Sequence, residues 1–284
     1  MDSDTILIAD SGSTKTQWQI ISQQETPGEA CVTAGINPFY QSNDEILKCL
    51  QKEFTIKASQ HKTIYFYGAG CANEEKNAIV RKALQEYFGV DSVFISSDLL
   101  GAARSLCQDK KGIACIMGTG SNSCFYDGSA IINNVSPLGF ILGDEGSGAV
   151  LGKKLVADVL KKQLPDTIIN LFFDTYKTTT ADILNNIYKQ PFPNRYLAQY
   201  SKFLSANIHI EELESLCLNA FSEFVDRNLL QYEHIDSLPI HFTGSIAWHF
   251  SDLLKKVLEK YQLQPGNFSQ SPMDGLVQYH QLTR

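Results

Sequence analysis

Two short segments rich in glycine, serine and threonine, each between two apolar runs, constrain the fold of this chain of 284 residues more than any other feature. The first, DSGSTKT (Asp10–Thr16), follows the apolar run Ile6–Ala9, and the second, GTGSNS (Gly118–Ser123), separates IACIM from SCFY. Apolar runs that flank so short a turn predict a β-hairpin. The chain therefore has two halves that open with the same strand–turn–strand device.

Helix and strand patterns alternate after each opening. The first half contains predicted helices over Asp44–Phe54, capped by Asn43 or Asp44, and over Glu74–Phe88, closed by Gly89. Its predicted strands are TIYFYGAG and SVFISS, and a further helix is predicted in DLLGAARSLCQ. After a break at DKKG, Asp109–Gly112, the second half is predicted to contain the hairpin, helices from Gly146 to about Tyr232, the strand LPIHFTG, a helix over Ile246–Tyr261 and a C-terminal helix in PMDGLVQYHQL.

This alternation predicts an α/β protein with mixed sheets flanked by helices. We predict an N-terminal domain over residues 1–110, completed by the C-terminal helix 272–284, and a C-terminal domain over residues 111–271 with a helical insertion.

The first glycine-rich segment carries groups suited to a phosphate. Gly12 permits a positive φ and close approach of backbone amides to a ligand, and Ser13, Thr14 and Thr16 carry hydroxyls. Asp10 is a candidate ligand for Mg²⁺, and Lys15 can neutralise phosphate charge. The alternative is an ordinary polar hairpin turn.

The second segment has the same chemistry, since Gly118 and Gly120 permit a tight backbone nest and Thr119, Ser121 and Asn122 supply donors. Two such loops predict binding of a polyphosphate between two domains, and TGSIA, Thr243–Ala247, is a candidate third contact for an adenosine. The chain has no GxxxxGK[ST] and no GxGxxG between a strand and a helix, so neither a P-loop nor a Rossmann site is indicated.

Three further residues are candidates for the chemistry. Asp98 follows a predicted strand, where it could take a proton from a substrate hydroxyl, although a helix N-cap is the alternative and is compatible with that role. Asp144, in LGDEGSG, can accept hydrogen bonds from a polyol or favour a helix N-terminus. Asn37, in TAGINPF, is either a polar ligand or a turn residue before Pro38.

Composition limits the partners. The formal net charge is −7, so no electrostatic attraction to nucleic acid or to an anionic membrane is expected. No secretory signal and no apolar run long enough to span a membrane is visible. The seven scattered cysteines predict reduced thiols, and together these features predict a cytoplasmic protein.

The motifs IADSGSTKT, GTGSNS, LGDEGSG and TGSIA, in this order, resemble the sugar-kinase branch of the actin-like ATPase superfamily. The N-acetylglucosamine kinase group is the closest match, and it shares a family with the ATPase activators of 2-hydroxyacyl-CoA dehydratases and benzoyl-CoA reductases. The resemblance extends from Ile6 to about Gly275. It implies two actin-like ATPase (ribonuclease H-like) domains with a nucleotide cleft between them, and ATP, Mg²⁺ and a small sugar as ligands.

The resemblance also assigns residues by motif. It implies that Asp98 is the catalytic base and that Asp10 lies near the metal. The residues implied to bind ATP are Ser11, Gly12, Ser13, Thr14, Lys15, Gly118, Thr119, Gly120, Ser121, Gly244 and Ser245. The residues implied to bind the sugar are Asn37, Thr119, Asn122, Gly139 and Asp144.

Two departures from the vertebrate enzymes fall where the sugar would bind. PLGFILGDEGS replaces a glycine run that contains tryptophan, and Pro38-Phe39 replaces His-Trp. The expected activity is phosphorylation of N-acetylglucosamine, or of a related sugar such as N-acetylmuramate, at its 6-hydroxyl. The sugar, the hydroxyl and the oligomeric state stay open, with a homodimer as one expectation. The alternative is an ATPase activator, but Cys115 and Cys124 lack the paired arrangement of its iron–sulfur ligands.

Overall fold

The computed structural model of the chain describes residues 5–21, 27–56 and 61–282. The strands are β1 Thr5–Ser11, β2 Lys15–Ile21, β3 Pro27–Ala34, β4 His61–Gly68, β5 Ser92–Ser97, β6 Gly112–Met117, β7 Ser121–Tyr126, β8 Ile131–Asn133, β9 Pro239–Thr243 and β10 Gln264–Ser269. The helices are α1 Asn43–Glu53, α2 Glu74–Phe88, α3 Asp98–Cys107, α4 Gly139–Leu142, α5 Gly148–Leu160, α6 Asp166–Tyr176, α7 Thr180–Tyr188, α8 Pro193–Ala198, α9 Ser201–Ala206, α10 Glu211–Arg227, α11 Ser245–His249, α12 Ser251–Lys260 and α13 Met273–Leu282.

These residues group into two compact units. Unit 1 comprises the described residues up to Lys110, the hairpin tip Tyr126–Ile131 and the segment from Ser271 onward; unit 2 comprises Lys111–Phe125 and Ile132–Gln270. The tip belongs with unit 1 because the backbone of Gly128 lies against the backbone of Asp109. No described helix has the length and apolar character needed to cross a membrane.

Unit 1 is built on a five-stranded sheet in the order β3-β2-β1-β4-β5. The β1–β2 and β2–β3 pairs are antiparallel, whereas β1–β4 and β4–β5 are parallel. Strand β1 is buried on both faces: Leu7 and Ala9 pack in the cluster that includes Trp18, while Ile8 packs with Met273 of α13. This alternation follows from the two-residue period of a strand. Apolar side chains therefore point to both faces of the sheet, and helices pack on both.

Unit 2 repeats this layout in the order β10-β9-β6-β7-β8. A three-residue connection joins β6 to its neighbour β7, which requires an antiparallel hairpin, and β9 runs parallel to both β6 and β10. Helices α4–α10 lie in sequence between β8 and β9, where the helical insertion was predicted. The α/β prediction with two mixed, helix-flanked sheets is therefore confirmed.

Two local predictions were wrong in detail, and two strands were missed. Helix α1 is capped by Ser42, which forms a capping box with Glu45, instead of by Asn43 or Asp44. The predicted helix Ile246–Tyr261 is divided into α11 and α12 at Phe250. The outer strands β3 and β10 were not among the predicted strands.

Candidate functional site

The three parallel strands of unit 1 end side by side, and two carboxylates lie at these ends. Strand β1 pairs Ser11 with Gly68 of β4, and β4 pairs Gly68 with Ser97 of β5. Asp10 lies one residue before the end of β1, and Asp98 follows Ser97 directly as the first residue of α3. Carboxyl ends of parallel strands are where α/β proteins commonly bind ligands.

The carboxylate of Asp10 is electrostatically unsatisfied within unit 1. Its pKa is raised to about 7, mainly by burial and also by the negative charge of Asp98, whereas the charge of Lys15 lowers it. A buried anion beside a second anion is stabilised by a cation. The Asp10 carboxylate therefore suits a bound metal ion.

Asp98 combines a fixed position with a pKa suited to proton transfer. Burial raises its pKa to about 6, although the backbone N–H of Leu99 donates to Asp98 Oδ1 at 2.9 Å and lowers it. The N-cap is Ser97, whose hydroxyl accepts from the amide of Leu100 at 3.2 Å, so the alternative of Asp98 as the cap is wrong. The carboxylate of Asp98 is thus not committed to capping.

The first loop, Ser11–Lys15, divides into an anchored and an open part. The buried Ser11 hydroxyl lies 2.7 Å from Thr16 Oγ1 and donates to Ile36 O at 3.0 Å. Its hydrogen bonds therefore support the loop instead of facing a ligand. Thr14 and Lys15 are exposed, and Gly12 and Ser13 are partly exposed.

Gly12 does not adopt the positive φ that the sequence suggested. A Cβ at Gly12 would meet only Lys15 O, at 3.9 Å, so neither strain nor packing within unit 1 requires glycine there. Gly35, which sequence reasoning missed, is required by packing: its Cβ would lie 2.8 Å from Ser13 C and against Gly12 O. The Gly35 amide also donates to Thr14 O at 3.1 Å, so this residue supports the loop.

Asn37 is held in a tight turn close to the end of β4. Its backbone amide donates to Gln41 Oε1 at 2.7 Å, and its Oδ1 accepts from the amide of Phe39 at 3.0 Å. Gly70, with φ of 82°, lies so close to Asn37 that a Cβ would collide with Asn37 Oδ1. The turn that the sequence offered as an alternative is thus present, and it lies in unit 1 together with Asp98.

The second loop, Gly118–Ser121, is supported by the residues around the start of α5. The amides of Gly148 and Ala149 donate to Gly118 O at 2.9 Å and Thr119 O at 3.1 Å. The Ser121 hydroxyl is buried and donates to Glu145 O at 2.8 Å, so it is not a donor for a ligand. Nothing lies within 4 Å of a Cβ at Gly118, whose φ is not positive.

Asp144 lies directly against this loop. A Cβ at Gly120 would be 2.9 Å from Asp144 Oδ2, and the Ser121 amide donates to Asp144 Oδ1 at 3.3 Å. Burial raises the pKa of Asp144 to about 6; the Ser121 amide lowers it, the charge of Glu145 raises it and Lys153 lowers it.

The other predicted sugar residues of unit 2 differ in their surroundings. Asn122 Oδ1 accepts from the Ser123 amide and from Asn134 Nδ2, both at 2.9 Å, so this oxygen serves the loop. Gly139 has φ of 74° and open space around it, and it begins the short helix α4, which ends two residues before Asp144.

The predicted adenosine residues lie where β9 joins α11. Gly244, with φ of 113°, packs against the backbone of Met117, so packing within unit 2 requires glycine at this position. Ser245 is exposed at the start of α11. Trp248, which the sequence analysis did not single out, is 47% exposed one turn later.

The described residues contain no group of three or more acidic, histidine or cysteine side chains that could form a protein-only metal site. Mg²⁺ bound to nucleotides takes one or two carboxylates and fills its other positions with phosphate oxygens and waters. Asp10 fits that pattern because its buried carboxylate needs a positive partner.

Comparison with solved structures identifies the family. A candidate N-acetylglucosamine kinase from Porphyromonas gingivalis is 46% identical, with a TM-score of 0.94 over 98% of this chain and 99% of that chain. The chain belongs to the N-acetylglucosamine kinase-like sugar kinases. This family lies within the actin-like ATPase superfamily that the motifs indicated.

More distant structures share the fold of this sugar kinase. A candidate N-acetylglucosamine kinase from Chromobacterium violaceum is 16% identical, with a TM-score of 0.76 over 98% of this chain and 99% of that chain. A ROK family glucokinase from Streptomyces griseus, solved with glucose and AMPPNP, is 12% identical, with a TM-score of 0.60 and 98% coverage of both chains. No protein-family model and no curated protein matches the sequence.

Proposed function

We propose that this sugar kinase transfers the γ-phosphoryl group of ATP to the 6-hydroxyl of N-acetylglucosamine or of a related N-acetylated amino sugar such as N-acetylmuramate. The observation that carries the proposal is the pair of carboxylates, Asp10 and Asp98, at the ends of the parallel strands of unit 1. Each has a raised pKa, and the charge of Asp98 contributes to the raised pKa of Asp10. The family membership supports the same reaction.

Phosphoryl transfer depends mainly on positioning and on neutralisation of charge. We assign Asp98 to orient the sugar hydroxyl and accept its proton, for which a pKa of about 6 is suitable near neutral pH. Asp10 would hold Mg²⁺, directly or through water, and the ion supplies charge neutralisation to the phosphates.

Each unit supplies one proposed phosphate-binding loop. Gly12 and Gly118 have open space where a side chain would be, so a phosphate can approach their backbone without a clash. Lys15 adds a positive charge. Among the other assigned residues, Ser13, Thr14, Thr119 and Gly120 line these loops, whereas the hydroxyls of Ser11 and Ser121 support them. Gly244 and Ser245 remain our assignment for adenosine.

Asn37 of unit 1 is assigned to the sugar hydroxyls, and so are Asp144, Thr119, Asn122 and Gly139 of unit 2. An ionised carboxylate only accepts hydrogen bonds, which suits a ligand rich in hydroxyl groups. The iron–sulfur alternative gains no support, because Cys115 and Cys124 are fully buried side chains of the unit 2 strands.

The test is a coupled assay of ADP release with Mg²⁺ and ATP against hexoses, N-acetylhexosamines and N-acetylmuramate. Turnover with one N-acetylated sugar well above the rate without sugar would support the proposal. ADP release that is the same with every sugar and without sugar would contradict it.

A further inference from the structure

Glu145 is a buried carboxylate that the proposed reaction does not use. Its Oε1 lies 2.5 Å from Nε of Arg227, and its Oε2 accepts a hydrogen bond from Asn228 Nδ2 at 3.2 Å. Glu145 and Asn228 are 8% and 6% exposed, whereas the Arg227 side chain is 61% exposed. The end of α10 thus supplies the partners that a buried carboxylate needs.

The backbone of Glu145 is connected to the second loop. Its carbonyl accepts the buried Ser121 hydroxyl at 2.8 Å, and the Ser121 amide donates to Asp144 Oδ1 at 3.3 Å. Asp144 has φ of 54°, a left-handed conformation that residues other than glycine adopt at a cost. The neighbouring contacts must therefore hold Asp144 in place, and Glu145 is the next residue in the chain.

We propose that Glu145, anchored by Arg227 and Asn228, is a positioning residue that fixes the Asp144 carboxylate against Gly120 for recognition of the sugar. This inference rests on the proposed function and assigns Glu145 no contact with substrate. It adds the end of α10 to the determinants of sugar affinity.

The structure separates this role from general support of the loop. The amides of Gly148 and Ala149 hold Gly118 and Thr119 through hydrogen bonds that do not involve Glu145. Loss of the Glu145 anchor should consequently disturb Asp144 more than the first part of the loop. The sugar KM should respond more strongly than the ATP KM.

The experiment compares the full-length wild type with Glu145→Gln, Arg227→Gln, the double variant and Glu223→Gln. Glu223 is the matched control, because it is a carboxylate in the same unit that forms an ion pair of 2.7 Å with Lys154. The sugar is the best substrate of the coupled assay. We expect Glu145→Gln to raise the sugar KM about tenfold, the effect of about 1.4 kcal/mol in binding.

The ATP KM should stay within about twofold, and Arg227→Gln should shift the sugar KM in the same direction. The double variant should resemble Glu145→Gln, because coupled residues show non-additive effects. Glu223→Gln should match the wild type. Arg227→Gln is the second test because the Arg227 side chain is exposed, whereas that of Glu145 is buried. A change at Arg227 is therefore less prone to prevent folding.

A pH profile provides a readout that general destabilisation does not move. The charges that act on Asp144 are those of Glu145 and Lys153, and Arg227 faces Glu145. Removal of the Glu145 charge should lower the pKa of Asp144 and move the acidic limb of kcat/KM for the sugar to lower pH.

A folded Arg227→Gln or Glu145→Gln variant with an unchanged sugar KM would overturn the inference, and so would an equal rise of the sugar and ATP KM values. Failure of the proposed function is distinguishable, because the wild type would then show no sugar-dependent turnover.

Discussion

Replacement of Gly118 by alanine separates the effect of an added methyl group on protein stability from its effect on ATP binding. No heavy atom lies within 4 Å of the position of a Cβ, and φ is not in the left-handed region, so the folded chain can accept the methyl group without strain. Because alanine restricts the unfolded chain, the free energy of unfolding should stay constant or rise by about 0.4–1 kcal/mol.

The same methyl group should weaken ATP binding, because we propose that a phosphate of ATP approaches the backbone of Gly118. We expect the ATP KM to rise about tenfold or more, equivalent to at least about 1.4 kcal/mol. The assays are urea unfolding without nucleotide and steady-state kinetics at saturating sugar.

Gly89→Ala is the matched control. Gly89 also has open space for a Cβ, but its φ of 66° at the end of α2 is left-handed. Alanine there should destabilise the protein by about 1–2 kcal/mol and leave the ATP KM unchanged. A stable Gly118→Ala variant with the wild-type ATP KM would refute the reasoning.

Three further predictions concern the base and the fold. Asp98→Asn should reduce kcat by about 10²–10⁴-fold and leave both KM values within about threefold, as measured by steady-state kinetics; near wild-type kcat would reject Asp98 as the base. Because burial raises the pKa of Asp98 to about 6 and the base must be ionised, kcat measured from pH 5 to 8 should fall as the pH drops through about 6; a flat profile would contradict this role. Ser42→Ala removes the cap of α1 and should lower the free energy of unfolding by about 1 kcal/mol in urea titrations, without any change in kcat.

The inner strands and long helices could be predicted from sequence because local patterns dominate there. Strand β1 is a continuous apolar run in the centre of its sheet, and Gly89 ends α2 in the left-handed conformation that its position suggested. The outer strand β10, QPGNFS, carries proline and glycine, which sheets accept at edges, and only tertiary contacts such as the stacking of Phe268 on Phe242 at 5.1 Å reveal it.

In the candidate site, too, residues with local sequence signals could be predicted and residues that depend on long-range contacts could not. Asp10, Asp98 and the two loops could be chosen from motifs, because strand ends and glycine clusters are local signals. The support from Gly35, Arg227 and Asn228 could not be chosen, since it depends on contacts between residues distant in sequence. The sequence also did not reveal the packing of Gly244 against Met117, and the positive φ that it suggested for Gly12 is absent.

Identification of the product by ³¹P NMR tests the central claim most directly. The protein is incubated with Mg²⁺, ATP and N-acetylglucosamine or N-acetylmuramate, in parallel with the Asp98→Asn variant. We expect a sugar 6-phosphate whose phosphorus couples to the protons on C6, together with ADP, and near absence of this sugar phosphate with Asp98→Asn. Formation of inorganic phosphate alone, or of a sugar 1-phosphate, would contradict the account.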